Sequence, residues 1–149
     1  TEKEFMRSKK TFHEKYEEAK RLNIPYPFNP GCVKVLNSII EQTDVDIIIT
    51  SDWRIFWDLE RMSEIFKFNG IIKSPSNFTG FHRISFGNET KNRAHEIKVY
   101  LQSHDVGSYV VLDDMDLDLY EMDRFVKTID NEGLKQIGLK KKILNFLNT

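Results

Sequence analysis

The chain has 149 residues, of which 40% are hydrophobic and 30% charged. This length predicts one domain with one hydrophobic core, and the composition excludes a disordered or collagen-like chain. The formal net charge of −1 argues against a strongly basic nucleic-acid clamp, and the single cysteine excludes a disulfide framework and a multi-cysteine zinc site. No apolar run approaches the roughly 18 residues that cross a bilayer, and the N-terminus lacks the apolar core of a signal peptide. These features predict a soluble, cytoplasmic protein with no membrane partner.

The first part of the chain predicts two helices. Residues 1–22 are rich in Lys and Glu and carry aromatic and apolar residues at helical spacing, and Pro25 ends the pattern because proline cannot continue a helix. Asn29 is the predicted N-cap of a second helix, with Pro30 at its first position and its end near Gln42.

Two short apolar runs, 45–50 and 109–112, predict strands buried on both faces, which is typical of a parallel sheet. Weaker strands are predicted at 71–73 and 124–128, helices at 55–68, 92–103 and 134–147, and a loop at 74–90. The alternation of helices and short strands predicts an α/β fold.

Acidic residues follow the second central strand, as Asp113, Asp114, Asp116 and Asp118. Ligands of open parallel sheets bind beyond the carboxyl ends of the strands, and carboxylates there suit Mg²⁺. The alternative is a solvated turn whose aspartates cap the next helix. The residues alone leave both interpretations open.

Hydroxyl and basic residues stand at two further element ends. Thr50 and Ser51 follow the first central strand, where they can donate hydrogen bonds to an anion, although Ser51 can instead be only a helix cap. Lys91 and Arg93 stand at the start of a helix, where the helix dipole disfavours cations. They are therefore candidates for phosphate binding, with an ordinary solvated surface as the alternative.

Together these segments resemble the haloacid dehalogenase-like (HAD) phosphohydrolase superfamily, and most closely the small HAD domain of multi-enzyme RNA repair proteins. The similarity runs through residues 28–37, 47–54, 93–97, 109–114 and 124–128. It implies a three-layer α/β fold, in which a Rossmann-like parallel sheet has helices on both faces. In this single domain, residues 28–149 would form the core, without its first strand, and residues 1–27 a small helical cap-like insertion.

The resemblance also implies roles for single residues. Thr50, or its neighbour Ser51, matches the hydroxyl that hydrogen-bonds the transferring phosphoryl group. Arg93, with Lys91 as its competitor, matches the basic residue beside that group. Arg54 is a further candidate for substrate binding.

The resemblance assigns Mg²⁺ to Asp113 and Asp114. HAD enzymes begin with a strand that ends in Asp-x-Asp-Gly, whose first Asp forms an aspartyl-phosphate and whose second Asp acts as acid and base. The 149 residues contain no such motif, so the nucleophile is expected upstream of Thr1. Its strand would lie between 45–50 and 109–112, which would otherwise stand roughly 10 Å apart with unpaired backbone.

The missing motif leaves three explanations: a strand preceding Thr1, a strand from another molecule, or a degenerate HAD domain that binds without catalysis. The first explanation makes the chain part of a Mg²⁺-dependent phosphohydrolase that acts on a phosphomonoester. A polynucleotide-end phosphatase is a further alternative, with thin support from Lys9, Lys10, Lys15, Lys20 and Arg21. The expected partner is a phosphorylated small molecule or a nucleic-acid end.

Overall fold

A computed structural model describes residues 14, 16–24, 28–129 and 132–149. Its helices are α1 (Pro30–Thr43), α2 (Trp53–Phe56), α3 (Leu59–Phe68), α4 (Glu89–Ser103) and α5 (Leu139–Leu147). Its strands are β1 (Ile48–Ile49), β2 (Asn77–Phe78), β3 (Val111–Asp113) and β4 (Phe125–Lys127), and short 3-10 helices span Leu117–Tyr120 and Gly133–Lys135. The alternation of helices with parallel strands confirms the predicted α/β class.

The described strands form two separate parallel pairs. β1 pairs with β2, with Ile48 opposite Asn77, and β3 pairs with β4, with Val111 opposite Phe125. A cavity of about 700 Å³ lies between β1 and β3. The continuous central sheet of a three-layer fold is therefore not formed by the residues that the structure describes.

In the part of the chain that the structure describes, three apolar clusters pack the helices onto the strand pairs. The clusters centre on Met62 and Ile65 of α3, on Ala94 and Ile97 of α4, and on Ile143 of α5. Neighbouring residues of α1 belong to two of them, since Ile40 packs in the first cluster and Ile39 in the third. Helix α1 thereby connects the two strand pairs through apolar contacts.

Part of the predicted N-terminal helix lies within the described residues. Residues 16–21 are helical. The guanidinium Nη2 of Arg61 binds the backbone just after this segment. It donates to the carbonyl oxygens of Leu22 at 2.7 Å and Asn23 at 3.1 Å. The rest of that predicted helix, apart from Glu14, and Pro25, which is predicted to end it, lie outside the described residues.

The start of α1 follows the sequence prediction. The Asn29 side-chain oxygen accepts hydrogen bonds from the amides of Gly31 at 2.9 Å and Cys32 at 3.2 Å, and Pro30 occupies the first helical position. Asn29 is therefore the N-cap that the sequence indicates. The helix runs to Thr43, one residue past the predicted end.

The single helix predicted over 55–68 is wrong, because α2 and α3 are separate helices. Trp57 between them has extended backbone angles (φ −132°, ψ 142°). The Asp58 carboxylate then accepts the Arg61 amide at 2.8 Å and begins α3 as its N-cap. A capping carboxylate that satisfies a free amide favours a new helix start at that point.

The strand predicted at 71–73 is also wrong, and β2 forms instead inside the predicted loop. Gly70 has a φ of 77°, and the Ile71 amide donates back to the Phe66 carbonyl at 3.1 Å. This segment therefore forms the C-terminal cap of α3 and not a strand. The Thr79 amide donates to the Ile49 carbonyl at 3.0 Å, so pairing with β1 defines β2.

Other boundaries shift by a few residues. Helix α4 begins three residues before the predicted start, because the Asn88 side chain caps it through the Lys91 amide at 3.0 Å. Helix α5 begins only at Leu139, because Gly138 has a φ of 83° and interrupts the predicted 134–147 helix. Both central strands are shorter than predicted, and β4 lies within the predicted 124–128 strand.

Across the described ranges, none of the helices is both long enough and apolar enough to cross a membrane.

Replacement of Ile143 by alanine is expected to lower the free energy of unfolding by roughly 2–5 kcal/mol, because it leaves a cavity in the third cluster. Ile143 is 1% exposed, whereas Ile137 is 99% exposed and serves as the matched control. Ile137→Ala should change the free energy by at most about 0.5 kcal/mol. Urea denaturation measures both variants, and equal losses would contradict the described core.

Candidate functional site

Arg93 of α4 connects the carboxyl ends of the two strand pairs. Its guanidinium Nη1 donates to Asp113 Oδ2 at 2.8 Å, at the end of β3. Its Nη2 donates to Asp52 Oδ1 at 3.2 Å, in the turn after β1. The Arg93 side chain is buried. The arrangement gathers two carboxylates around one guanidinium at the edge where ligands of parallel sheets bind.

The Asp113 carboxyl is buried at the end of β3. Burial raises the pKa of this carboxyl above its ordinary value, while the hydrogen bond from the Met115 amide and the nearby Arg93 guanidinium act in the opposite direction. The Met115 amide donates to Asp113 Oδ1 at 3.0 Å. Asp113 is thus a carboxyl whose ionised form needs a neighbouring cation.

Of the other three aspartates of this run, Asp114 interacts with the Asp113 carboxyl, and this contact also raises the pKa of Asp113. Asp114 and Asp118 are exposed, and Asp116 Oδ1 accepts a hydrogen bond from Lys127 Nζ at 2.6 Å. Within the described residues, no group of three or more His, Cys, Asp or Glu side chains is arranged to hold a metal. Mg²⁺ in proteins commonly takes only one or two carboxylates, together with water and substrate phosphate. Asp113 and Asp114 therefore suit such an ion in number and in ligand type.

Thr50 lies directly after β1, and its hydroxyl has a defined partner. The Thr79 hydroxyl donates to Thr50 Oγ1 at 3.1 Å, and Thr79 itself is buried. Sequence reasoning missed Thr79, because it follows a strand that was predicted as loop. The neighbouring Ser51 hydroxyl accepts the Trp53 amide at 3.3 Å, so its side chain supports the start of α2.

Arg54 contacts protein atoms in this arrangement. Its guanidinium Nη1 donates to the carbonyl oxygen of Thr50 and, at 3.2 Å, to that of Ser51. Its Nη2 forms an ion pair with Glu96 of α4. Sequence reasoning also missed Glu96; its position three residues after Arg93, on the same helical face, was the available signal.

The two basic candidates on α4 differ in their surroundings. Arg93 is buried between Asp52 and Asp113, whereas Lys91 is exposed. A third basic residue, Arg83, lies near Asp52, at the rim of this site. Its guanidinium carbon is 4.1 Å from the ring centroid of the half-exposed Phe81, and its Nη2 is 4.0 Å from Asp52 Oδ1. Basic and aromatic side chains thus border the carboxylates.

Comparison with known proteins identifies one family. The family model described as "HAD domain in Swiss Army Knife RNA repair proteins" matches residues 4–137, and searches of curated proteins and of solved structures gave no match. The matched residues make up well over half of the chain and include the ends of β1 and β3 and the start of α4. They confirm the resemblance seen in the motifs, and the chain belongs to the family of HAD domains found in Swiss Army Knife RNA repair proteins.

Proposed function

We propose that the chain forms the core of a Mg²⁺-dependent HAD-type phosphohydrolase that acts on a phosphomonoester through an aspartyl-phosphate. The observation that carries this proposal is the buried Arg93 bridge between Asp52 and Asp113. It concentrates a fixed cation and two carboxylates beside Thr50, at the edge of the strands. Family membership supports a phosphohydrolase-like or RNA-repair module.

Arg93 and Thr50 have complementary roles in this proposal. The Arg93 guanidinium stabilises the charge that develops on the phosphoryl oxygens, because fixed donors in a water-poor site need little reorganisation. The Thr50 hydroxyl accepts a hydrogen bond from Thr79 and keeps its own proton to donate to a phosphoryl oxygen. Ser51 is the alternative hydroxyl, and exposed Lys91 is the alternative cation.

Asp113 and Asp114 are the residues that would hold Mg²⁺. A bound Mg²⁺ would supply positive charge to the phosphate oxygens and help orient the leaving group. The Asp113 carboxyl already accepts hydrogen bonds from Arg93 and Met115. Its raised pKa, caused mainly by burial, means that an additional cation would favour its ionised form.

The nucleophile of this proposal stands on an extended segment between β1 and β3. The carbonyl of Ile49 faces β2, because it accepts an amide there. Alternate residues of a strand direct their backbone groups to opposite edges, so those of Ile48 face the cavity. The same rule applies to Leu112 of β3, since the backbones of Val111 and Asp113 bond on the β4 side.

An added strand would therefore find hydrogen-bonding edges on both sides. Side chains that line the cavity include the apolar residues Ile48, Leu101, Val110, Leu112 and Ile143. A parallel strand placed there would end next to Thr50 and Asp113, which brings an aspartate at its carboxyl end close to Arg93.

One carboxylate oxygen of that aspartate would attack phosphorus as the bond to the leaving oxygen breaks. A general acid would protonate the leaving oxygen, and water would then hydrolyse the aspartyl-phosphate.

The decisive test is phosphate release by the polypeptide expressed from the natural start of its gene. With Mg²⁺ and a small phosphomonoester, the wild type should release phosphate, and Asp113→Asn or Asp114→Asn should abolish release, because each removes a carboxylate charge from the metal. Asp118→Asn, in the same acidic run, is the matched control and should retain wild-type activity.

Wild-type rates in both Asp113→Asn and Asp114→Asn would end the phosphohydrolase proposal. A wild-type polypeptide that binds inorganic phosphate but releases none from any substrate would favour the alternative, a non-catalytic binding module.

A second comparison separates the two basic candidates. Arg93→Gln should lower kcat by roughly 100- to 1,000-fold, the usual effect of removing one transition-state donor. Lys91→Gln should change kcat by no more than about twofold, because the exposed side chain lies outside the carboxylate bridge. Steady-state kinetics on variants shown to be folded by circular dichroism measures both. Equal losses would contradict the assignment to Arg93.

A nucleic-acid end is the second candidate substrate, favoured by the RNA-repair description of the family and by the rim. Arg83, which lies over the Phe81 ring and pairs with Glu89, offers a cation and an aromatic surface beside the site. Most of the lysines predicted to support this function lie outside the described residues, while Lys20 and Arg21 are exposed and Arg21 lies 3.8 Å from a Glu18 oxygen.

Binding of a 5′-phosphorylated oligonucleotide should weaken steeply as the salt concentration rises, because phosphate contacts release counterions. Arg83→Gln should weaken binding and flatten the salt dependence. Fluorescence anisotropy at several salt concentrations measures both effects. Salt-independent binding of the phosphorylated oligonucleotide would count against a nucleic-acid substrate.

A further inference from the structure

A buried ion pair joins Arg54, in α2, to Glu96 on α4. The two side chains are 4% and 2% exposed. Removing both charges from water costs free energy that offsets much of their mutual attraction, so such a pair adds little net stability. The Nε group of Arg54 is also buried without a hydrogen-bond partner, which costs further free energy. Stability alone is therefore a poor account of this pair.

The contacts of Arg54 concern the backbone of the proposed phosphoryl-binding residues. One guanidinium nitrogen, Nη1, donates to the carbonyls of both Thr50 and Ser51. Holding a carbonyl oxygen fixes the orientation of its peptide plane. Arg54 thereby restricts the turn that sets the direction of the Thr50 hydroxyl.

Glu96 extends this restraint to the neighbouring loop. Its Oε2 atom pairs with Arg54 and also accepts the His82 amide at 3.1 Å. His82 lies three residues after Thr79, whose hydroxyl donates to Thr50. One carboxylate oxygen thus connects α4 to the segments that carry both threonines.

We infer that Arg54 and Glu96 are positioning residues for the phosphoryl-binding hydroxyl of Thr50, an inference that rests on the proposed function. Arg93 and Glu96 lie three residues apart on α4, so one rigid helix sets both the cation and the hydroxyl. In this inference Arg54 acts through the backbone of the turn. It does not contact the substrate directly, which is the role that the sequence analysis gave it.

The test replaces the ion pair by apolar residues of similar volume. Arg54→Met combined with Glu96→Leu should still give a folded protein, because apolar pairs often replace buried ion pairs without loss, but its melting temperature should fall as that of the control does, because the Thr50 and Ser51 carbonyls and the His82 amide lose these partners. We expect kcat for a small phosphomonoester to fall roughly 10- to 100-fold, since small misplacements of a reacting geometry have effects of this size. KM should stay within about twofold, because the lost interaction acts in the transition state.

The matched control is Arg61→Met combined with Glu64→Leu, the same substitutions in an ion pair of α3. Arg61 also holds two carbonyls, those of Leu22 and Asn23, so this control loses comparable contacts away from the site. Its melting temperature is expected to fall, while kcat of the folded protein should match that of the wild type.

Four results would overturn the inference. Wild-type kcat in the folded Arg54→Met/Glu96→Leu variant would show that the pair has only a structural role. A loss of kcat that equals the fraction of unfolded protein would show the same. If that variant fails to fold, Arg54→Lys replaces it: the lysine keeps the charge but lacks the forked donors, so the same kcat loss is expected, and wild-type kcat overturns the inference. A wild type that releases no phosphate ends the proposed function itself, and the inference falls with it.

Discussion

A buried guanidinium between two carboxylates is the interaction on which this site depends. Arg93 contacts Asp113 at the end of β3 and Asp52 in the turn after β1. Asp113 is buried with Arg93, whereas Asp52 is 49% exposed, so separation of these ends would break the more hydrated of the two contacts. In the described ranges the two strand pairs share no backbone ladder. Their relative position therefore depends on side-chain contacts, which include this polar bridge, the Arg54–Glu96 pair and the apolar contacts of Ile39 and Ile40 in α1.

The same division of the strands links folding to the proposed chemistry. Parallel strands are usually covered on both faces and paired on both edges when they lie inside a domain. β1 and β3 present inner edges to a cavity of about 700 Å³. A strand that fills this space would satisfy both edges and would carry its last residue to Arg93. Completion of the proposed sheet and delivery of the nucleophile would then be a single event.

Sequence patterns predicted the features that local chemistry determines. Asn29 as the cap of α1, with Pro30 at the first helical position, follows from residue types and spacing. β2 could not be found this way, because Thr79 and its neighbours form a strand only through pairing with β1. Glu96 was missed for a similar reason: a glutamate within a helix usually indicates a solvated face. Only the tertiary fold shows that it is buried against Arg54.

The donor geometry of Arg93 explains why an arginine, rather than a lysine such as Lys91, suits this position. A guanidinium has five N–H donors in a fixed plane, and the contacts to Asp52 and Asp113 use two of them. The remaining donors can bind a phosphoryl oxygen while both carboxylates stay in place. An ammonium group has three donors on a flexible stem and would give up more of its contacts for the same task. In the proposed function, this bridge would therefore also keep a cation oriented for an anionic substrate, which is the preorganisation that electrostatic catalysis requires.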